Sequence, residues 1–299
     1  MKILLLGCKG QVGWELQRAL APLGEVLACD FDSPAPLRAD FSDPESLADL
    51  VQRVQPALIA NAAAHTAVDQ AEGEPARARA LNATAPGVLA RAAAAQGAWL
   101  LHYSTDYVFD GSGSTPRSED AATGPLNIYG QTKLEGEEAI RASGCHHLIL
   151  RTSWVYAARG ANFARTMLRL AAERDELRVI DDQIGAPTGA DLLADASAHA
   201  LRAALANPAL AGTYHCVAGG QTSWHGYARC VIEWARAHGQ TVRVAPDAVH
   251  PVPTHAFPTP ARRPLNSRLD TTRLQRTFGL VLPHWQAGVE RMLHEALGV

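Results

Sequence analysis

Nothing in this 299-residue chain is organised around cysteine. Its five cysteines, Cys8, Cys29, Cys145, Cys216 and Cys230, are odd in number, scattered and never spaced as CxxC. That spacing suggests neither a disulfide framework nor a zinc site and fits small thiols kept reduced in the cytosol. No apolar run approaches the length of a membrane span. The apolar start, Lys2 to Leu6, lacks a small-residue cleavage pattern and reads as a first strand, not a signal peptide. Charge of one sign is also missing. A formal net charge of -3 gives no electrostatic case for nucleic acid or an anionic membrane. What remains is the composition of an ordinary globular protein, 47% hydrophobic and 19% charged, long enough for one large domain or two modest ones.

The chain begins as strand, glycine-rich turn, helix. Lys2 to Leu6 runs into Gly7-Cys8-Lys9-Gly10-Gln11-Val12-Gly13, after which Trp14, Leu16, Leu20 and Leu23 recur at helical spacing. Glycines here let the backbone approach a pyrophosphate, and a helix N-terminus supplies free N–H groups with partial positive charge. The spacing is GxxGxxG, and its position directly after the first strand gives it weight over an ordinary tight turn. A second strand, Glu25 to Cys29, ends in Asp30, where a dinucleotide fold places an acid on the adenosine ribose. Asp30 points to NAD, whereas Lys9 could accept a 2′-phosphate and points to NADP; use of both cofactors reconciles them. Asp40 and Phe41 could contact adenine, or belong to the loop that caps the helix starting near Pro44.

Further strands are expected at Ala57 to Ala60, Ala98 to Tyr103 and His147 to Arg151, with an Ala-rich helix from Pro75 to Gln96 between. This β-α alternation predicts an α/β fold, a Rossmann-like doubly wound parallel sheet. Ligands in such a sheet bind beyond the C-terminal ends of the strands. Those ends carry Asn61-Ala62-Ala63-Ala64-His65-Thr66 and Ser104-Thr105-Asp106. His65 reads equally as a structural loop histidine, and either Ser104 or Thr105 could hold a substrate oxygen. The Gly/Ser/Pro-rich stretch from Gly111 to Pro125 is long enough for a flap over the site. It leads to Asn127-Ile128-Tyr129-Gly130-Gln131-Thr132-Lys133, where Tyr129 and Lys133 fall on one face of a helix. A cation beside a phenol favours the phenolate, and the pair can exchange a proton with a carbonyl or alcohol oxygen. Alone, such a pair is common on helix surfaces.

The combination is more telling. GxxGxxG after the first strand, Ser104-Thr105-Asp106 after the fourth and Tyr129-x-x-x-Lys133 resemble the extended short-chain dehydrogenase/reductases. Gly10 to Gly13, Asn61 to Asp69, Ser104 to Phe109, Tyr129 to Glu137, Arg151 to Tyr156, Gln183 to Thr188 and Ala261 to Arg268 narrow the resemblance to the dTDP-4-dehydrorhamnose reductases, over nearly the whole chain.

That resemblance implies reduction of the 4-keto group of a dTDP-4-dehydro-β-L-rhamnose by NADPH or NADH. By it Tyr129 is the proton donor, Lys133 holds the nicotinamide ribose and lowers the Tyr129 pKa, and Thr105 hydrogen-bonds the reacting oxygen. Gly7, Gly10, Gln11 and Val12 cover the pyrophosphate, Asp30, Asp40 and Phe41 face the adenosine, and Ala64, His65, Thr66 and Tyr103 line the cofactor's inner half. Asp106, Trp154, Arg262 and Arg263 are implied on the sugar-nucleotide side. Some members hold Mg²⁺ between subunits with acids, for which Glu15, Asp191 and Glu295 are the candidates and plain surface carboxylates the simpler account. A homodimer is compatible with this. Residues 1–153 are expected to form the dinucleotide-binding domain, with segments near 176–188 and 212–232 returning to it, and the rest of 154–299 a smaller, interleaved substrate lobe. A C4 epimerase or another nucleotide-sugar 4-ketoreductase is the alternative nearest in chemistry. A non-catalytic regulatory subunit of similar fold is the alternative in kind, disfavoured by the intact Thr105, Tyr129 and Lys133.

Overall fold

In the computed structural model, which describes residues 1–298, the first half of the chain builds a parallel sheet. The strands are β1 (Lys2–Leu6), β2 (Glu25–Cys29), β3 (Leu58–Asn61), β4 (Trp99–Thr105) and β5 (His147–Thr152). A sixth, Gly212–His215, pairs in parallel with β5 and completes the order Gly212–His215, β5, β4, β3, β1, β2. The chain moves outward from β1 to β2 and then crosses back to β3 on the other side of β1. That reversal opens a crevice beyond the C-terminal ends of β1 and β3, where the loops leave in opposite directions. The fold is therefore the doubly wound parallel sheet that the strand–helix alternation predicts.

Alternation along the buried strands builds two cores, one on each face. Ile3, Leu5, Leu58, Leu101 and Leu148 pack with Leu16, Leu20, Leu193 and Leu201 on one side. Leu4, Leu6, Ile59, Leu100 and Ile149 pack with Leu47, Leu50, Leu89 and Ile140 on the other. A third cluster, including Tyr156, Met167, Tyr227, Val231, Trp285 and Val289, is the core of the second lobe.

Three expectations change. The segment near 176–188 does not join the large sheet. Leu177–Ile180 pairs in parallel with Val249–Val252, while Ile184–Gly185 pairs with Thr222–Ser223. The Gly111–Pro125 stretch is no free flap. Its Gly111 carbonyl accepts from Asn266 N–H at 3.0 Å, Arg117 N–H donates to the Arg268 carbonyl at 2.9 Å, and Asn266 Nδ2 donates to the Thr115 carbonyl at 2.9 Å. Finally, the Ala-rich helix is interrupted: α-helical turns at Pro75–Arg79 and Ala85–Gln96 flank a π-helical stretch at Ala80–Thr84. The extra residue turns Asn82 inward, where its amide holds the His65 backbone at both N–H (2.8 Å) and C=O (3.1 Å). Wide turns of this kind recur beside functional sites.

Candidate active site

A cavity of about 960 Å³ runs from the β1 glycine turn, past the ends of β3 and β4, to the second lobe. Its floor is made by backbone that has no room for side chains. Gly7 has φ +79°, and a Cβ there would lie 2.7 Å from the Ala63 nitrogen; a Cβ on Gly13 would lie 2.0 Å from the Gly7 carbonyl oxygen. The two glycines thus let the turn, the start of helix Gln11–Leu20 and the end of β3 close on one another. No side chain caps that helix, with Gly10 at its N-cap, so its first N–H groups are left for an anion.

At the far end of β2, Asp30 is held as an acceptor. Lys9 N–H reaches its Oδ2 at 3.1 Å and Phe31 N–H its Oδ1 at 2.9 Å. Lys9 itself turns to Asp32, with Nζ 2.5 Å from Oδ2. Asp40 is also engaged, by Ser42 and Arg38, which hold its carboxyl below the usual range.

β4 extends two residues beyond its expected end and delivers Ser104 and Thr105 to the cavity wall. Thr105 Oγ1 accepts from Tyr107 N–H at 3.1 Å and donates to Asp106 Oδ1 at 3.0 Å. The buried Asp106 carboxyl is pushed up to about 7 by burial, with the Ser267 and Thr105 hydroxyls opposing. Helix Ile128–Ala142 enters opposite, capped by Asn127, whose Oδ1 accepts from Gly130 N–H at 2.8 Å. Tyr129 and Lys133 both line the cavity from it.

The electrostatics differ from the sequence expectation in one respect. Burial pushes the Tyr129 phenol up to about 12, with the Thr105 hydroxyl pulling the other way and Asp106 raising it further; Lys133 does not contribute. Lys133 lies deeper, with Nζ donating to the Tyr103 carbonyl at 2.6 Å, and burial brings its ammonium down to about 8. Tyr103 OH pairs with Ser197 Oγ at 2.6 Å.

Most of the expected residues meet in this one cavity: Gly7, Gly10, Gln11, Val12, Asp30, Asp40, Phe41, Ala64, Thr66, Tyr103, Thr105, Asp106, Tyr129, Lys133 and Trp154. His65 does not. Asn82 fixes its backbone, and its buried ring turns toward Glu74, 3.9 Å away. The arginine pair divides. Arg263 makes a two-pronged ion pair with Asp69 (3.0 and 2.6 Å) and lines a neighbouring cavity of about 260 Å³, while Arg262 is exposed. Glu15, Asp191 and Glu295 build no magnesium site within one chain. Glu15 lies against Arg18 and Asp191 against Arg291, and among the described residues no three His, Cys, Asp or Glu side chains could hold a metal.

Sequence reasoning missed Trp224, which stacks on Trp154 at 3.7 Å and lines the main cavity. Nothing in its local pattern separates it from any residue opening an amphipathic helix. Trp154 itself sits at φ +50°, strain that a bulky side chain rarely adopts. Where the cavity meets β4 and β5, buried Thr152 Oγ1 and Ser153 Oγ lack hydrogen-bond partners, whereas Ser104 turns to Glu137 and Asp106 is met by Ser267. Native proteins seldom leave such atoms unmatched, so their convergence fits a polar ligand. With the uncapped helix and the glycine floor, these residues fit a nicotinamide dinucleotide along one half of the cavity and a hydroxyl-rich molecule in the other. Among the described residues, no helix is long and apolar enough to cross a membrane.

Known proteins agree with that geometry. A family model described as the RmlD substrate binding domain matches residues 1–297. A dTDP-4-dehydrorhamnose reductase of Shigella flexneri is 59% identical over 295 residues, covering 99% of this chain and 98% of the relative. The crystal structure of a dTDP-4-dehydrorhamnose reductase from Clostridium acetobutylicum superposes with a TM-score of 0.88 at 34% identity, covering 100% of both chains. That of the Bacillus anthracis reductase, in complex with NADP, does so with a TM-score of 0.86 at 33% identity, covering 98% of this chain and 99% of the other. The chain belongs to the dTDP-4-dehydrorhamnose reductase family.

Proposed function

We propose that this protein reduces the 4-keto group of dTDP-4-dehydro-β-L-rhamnose to give dTDP-L-rhamnose, in the cytoplasm. The observation that carries this reading is the meeting of Thr105 and Tyr129 in the same cavity as the β1 glycine turn. When bound, NADPH or NADH supplies the hydride.

Residues 1–153 hold chiefly the dinucleotide. The N–H groups around Gly10, Gln11 and Val12 face its pyrophosphate, Asp30, Asp40 and Phe41 its adenosine, and Ala64, Thr66 and Tyr103 its inner half. The later residues, joined by the sheet strand at 212–215, hold the sugar nucleotide. Trp154 and Trp224 wall the sugar, and the Ala261–Arg263 segment faces the diphosphate.

Negative charge builds on the ketone oxygen as C4 is reduced. The Thr105 hydroxyl, which here donates to Asp106, turns to that oxygen and stabilises it. Tyr129 then gives its proton to the same oxygen. A phenol raised by burial remains protonated at neutral pH, which suits a donor. Lys133 orients the ribose next to the reacting carbon.

Purified protein should oxidise NADPH or NADH when given dTDP-4-dehydro-L-rhamnose, and neither cofactor without it. Tyr129→Phe should lower kcat by about 10²-fold or more, the usual scale for a lost general acid. Tight, unconsumed cofactor with interconversion of a C4 epimer would assign the site to epimerisation instead.

A further inference from the structure

Residues 157–162, between strand Val155–Tyr156 and helix Phe163–Glu173, belong to the second lobe but reach back to the glycine turn. Tyr156 and Ala164, just outside the two ends of this strap, are buried in the second lobe's core. The strap's own groups hold it in a fixed bend. Asn162 caps the helix, its Oδ1 accepting from Arg165 N–H at 3.0 Å, and its Nδ2 donates to the Ala157 carbonyl at 2.6 Å. Arg165 Nη1 donates to the Ala158 carbonyl at 2.5 Å. Gly160, at φ +74°, supplies a left-handed turn that a side chain resists.

That bend presents the Arg159 and Ala161 carbonyls to the other lobe. Gln11, 150 positions before Ala161, meets them: its Nε2 donates to the Ala161 carbonyl at 3.0 Å and lies 3.5 Å from that of Arg159. One turn along the same helix, the Arg159 guanidinium lies over the Trp14 indole, with Cζ 3.4 Å from the ring centroid. Trp14 is 46% exposed, so this cation–π contact is made in water and is weak enough to break and re-form. Gln11 and Ala161 both line the main cavity, and their bond therefore closes its edge from lobe to lobe. With the pyrophosphate on Gly10, Gln11 and Val12, the strap crosses the middle of the dinucleotide. A cofactor covered at its middle leaves when the strap lifts.

We propose that residues 157–162 are a gate on the cofactor, with Arg159 and Trp14 as its latch. This rests on the reductase reading only for the place of the pyrophosphate. Arg159 and Trp14 are not among the residues lining the cavity, so the latch is made between protein groups alone. It then contributes alike to the loaded and the free protein and cancels from the affinity. Its effect falls on the rates, because the state through which cofactor passes has the latch broken. Gln11 differs, since it stands in the cofactor site itself and its loss changes affinity as well.

Stopped-flow mixing of the purified protein with NADPH, followed by the cofactor's own fluorescence, measures association and release with no ketone present. Arg159→Ala should speed both by about two- to fivefold, the scale of one exposed cation–π contact, and leave Kd within about twofold of wild type. Trp14→Leu should do the same. The double variant should go no further than either single one, because the two residues share one contact. Arg159→Lys keeps a cation over the ring and should return both rates toward wild type. A structural role alone would lower the melting temperature and leave the rates as they are. Unchanged rates in Arg159→Ala would overturn the gate. So would faster release with unchanged association, which would make Arg159 a residue that grips the cofactor. Latched exchange of NADPH in a protein that reduces none of the ketone would remove the reductase reading and leave the gate standing.

Discussion

Asn127 ties the Tyr129 helix to Arg262. Its Oδ1 caps the helix at Gly130 N–H, and its Nδ2 donates to the Arg262 carbonyl, both at 2.8 Å. The neighbouring residues of the segment are held by Asp69, which takes Ala261 N–H at 3.2 Å and the Arg263 guanidinium. One amide therefore sets the distance between the proton donor and the arginine segment. Asn127→Asp keeps the cap and loses the donor, whereas Asn127→Ala loses both. The Ala variant should lose about 1 kcal/mol of stability, the ordinary value of a cap. The Asp variant should melt like wild type yet show a raised KM for the sugar nucleotide. Melting curves and steady-state kinetics on both separate these effects, and an unchanged KM in the Asp variant would reduce Asn127 to a cap alone.

The acid beside Thr105 gives a pH signature. The folded Asp106 carboxyl is raised to about 7 by burial, against about 3.9 in an unfolded chain. Its contribution to stability is therefore full below about pH 4 and is lost as pH rises through 7. Asp106→Asn should flatten the fall in Tm between about pH 4 and 7 and leave the variant more stable than wild type at the alkaline end. Parallel Tm–pH curves for the two proteins would contradict this placement of the charge.

Glu137 and Arg151 make the opposite case. The pair is buried, with Nε to Oε1 at 2.9 Å and Nη2 to Oε2 at 2.7 Å. Burial raises the Glu137 carboxyl, but Arg151, the Ser104 hydroxyl and Arg141 together lower it by more, and the net shift is downward. Its stabilisation is present above the unfolded value of about 4.3 and disappears as pH falls through the lower folded value. Glu137→Gln leaves the arginine buried without its counter-charge and should cost about 3–5 kcal/mol, read from urea unfolding at pH 7. A loss under about 1 kcal/mol would mean that Arg151 is solvated after all.

Cofactor choice should turn on Asp30. Two backbone N–H groups hold its carboxylate in place, and Lys9 is occupied by Asp32. A fixed acid suits ribose hydroxyls and repels a 2′-phosphate. Asp30→Ala should raise the ratio of kcat/KM for NADPH to that for NADH; an unmoved ratio would take Asp30 out of ribose recognition.

How much of this was legible in the residues depends on whether a signal is local. The β1 glycine turn, the Thr105 strand end and the Tyr129–Lys133 pair are contiguous patterns, and each falls where its spacing puts it. The π-helical turn at Ala80–Thr84 has no such mark, since an alanine-rich run reads as regular helix. Its inward Asn82 became visible only with its bonds to the His65 backbone. Lys133 failed differently. Helical spacing correctly put it on one face with Tyr129, but the depth of Tyr103's carbonyl, which draws Nζ away, belongs to the packed sheet. Trp224 and the pairing of Leu177–Ile180 with Val249–Val252 depend on contacts across tens of residues, which periodicity cannot carry.

The late arrival of Gly212–His215 on the sheet has a consequence for synthesis. A ribosome makes β5 some sixty residues before the strand that covers it. During that interval the hydrogen-bonding edge of His147–Thr152, with Leu148, Ile149 and Leu150 in its middle, stands open. An uncovered apolar strand edge is a template for another chain. Until residues 153–211 have been added, that edge has no partner within the chain, and the growing protein carries a hazard that the finished fold does not.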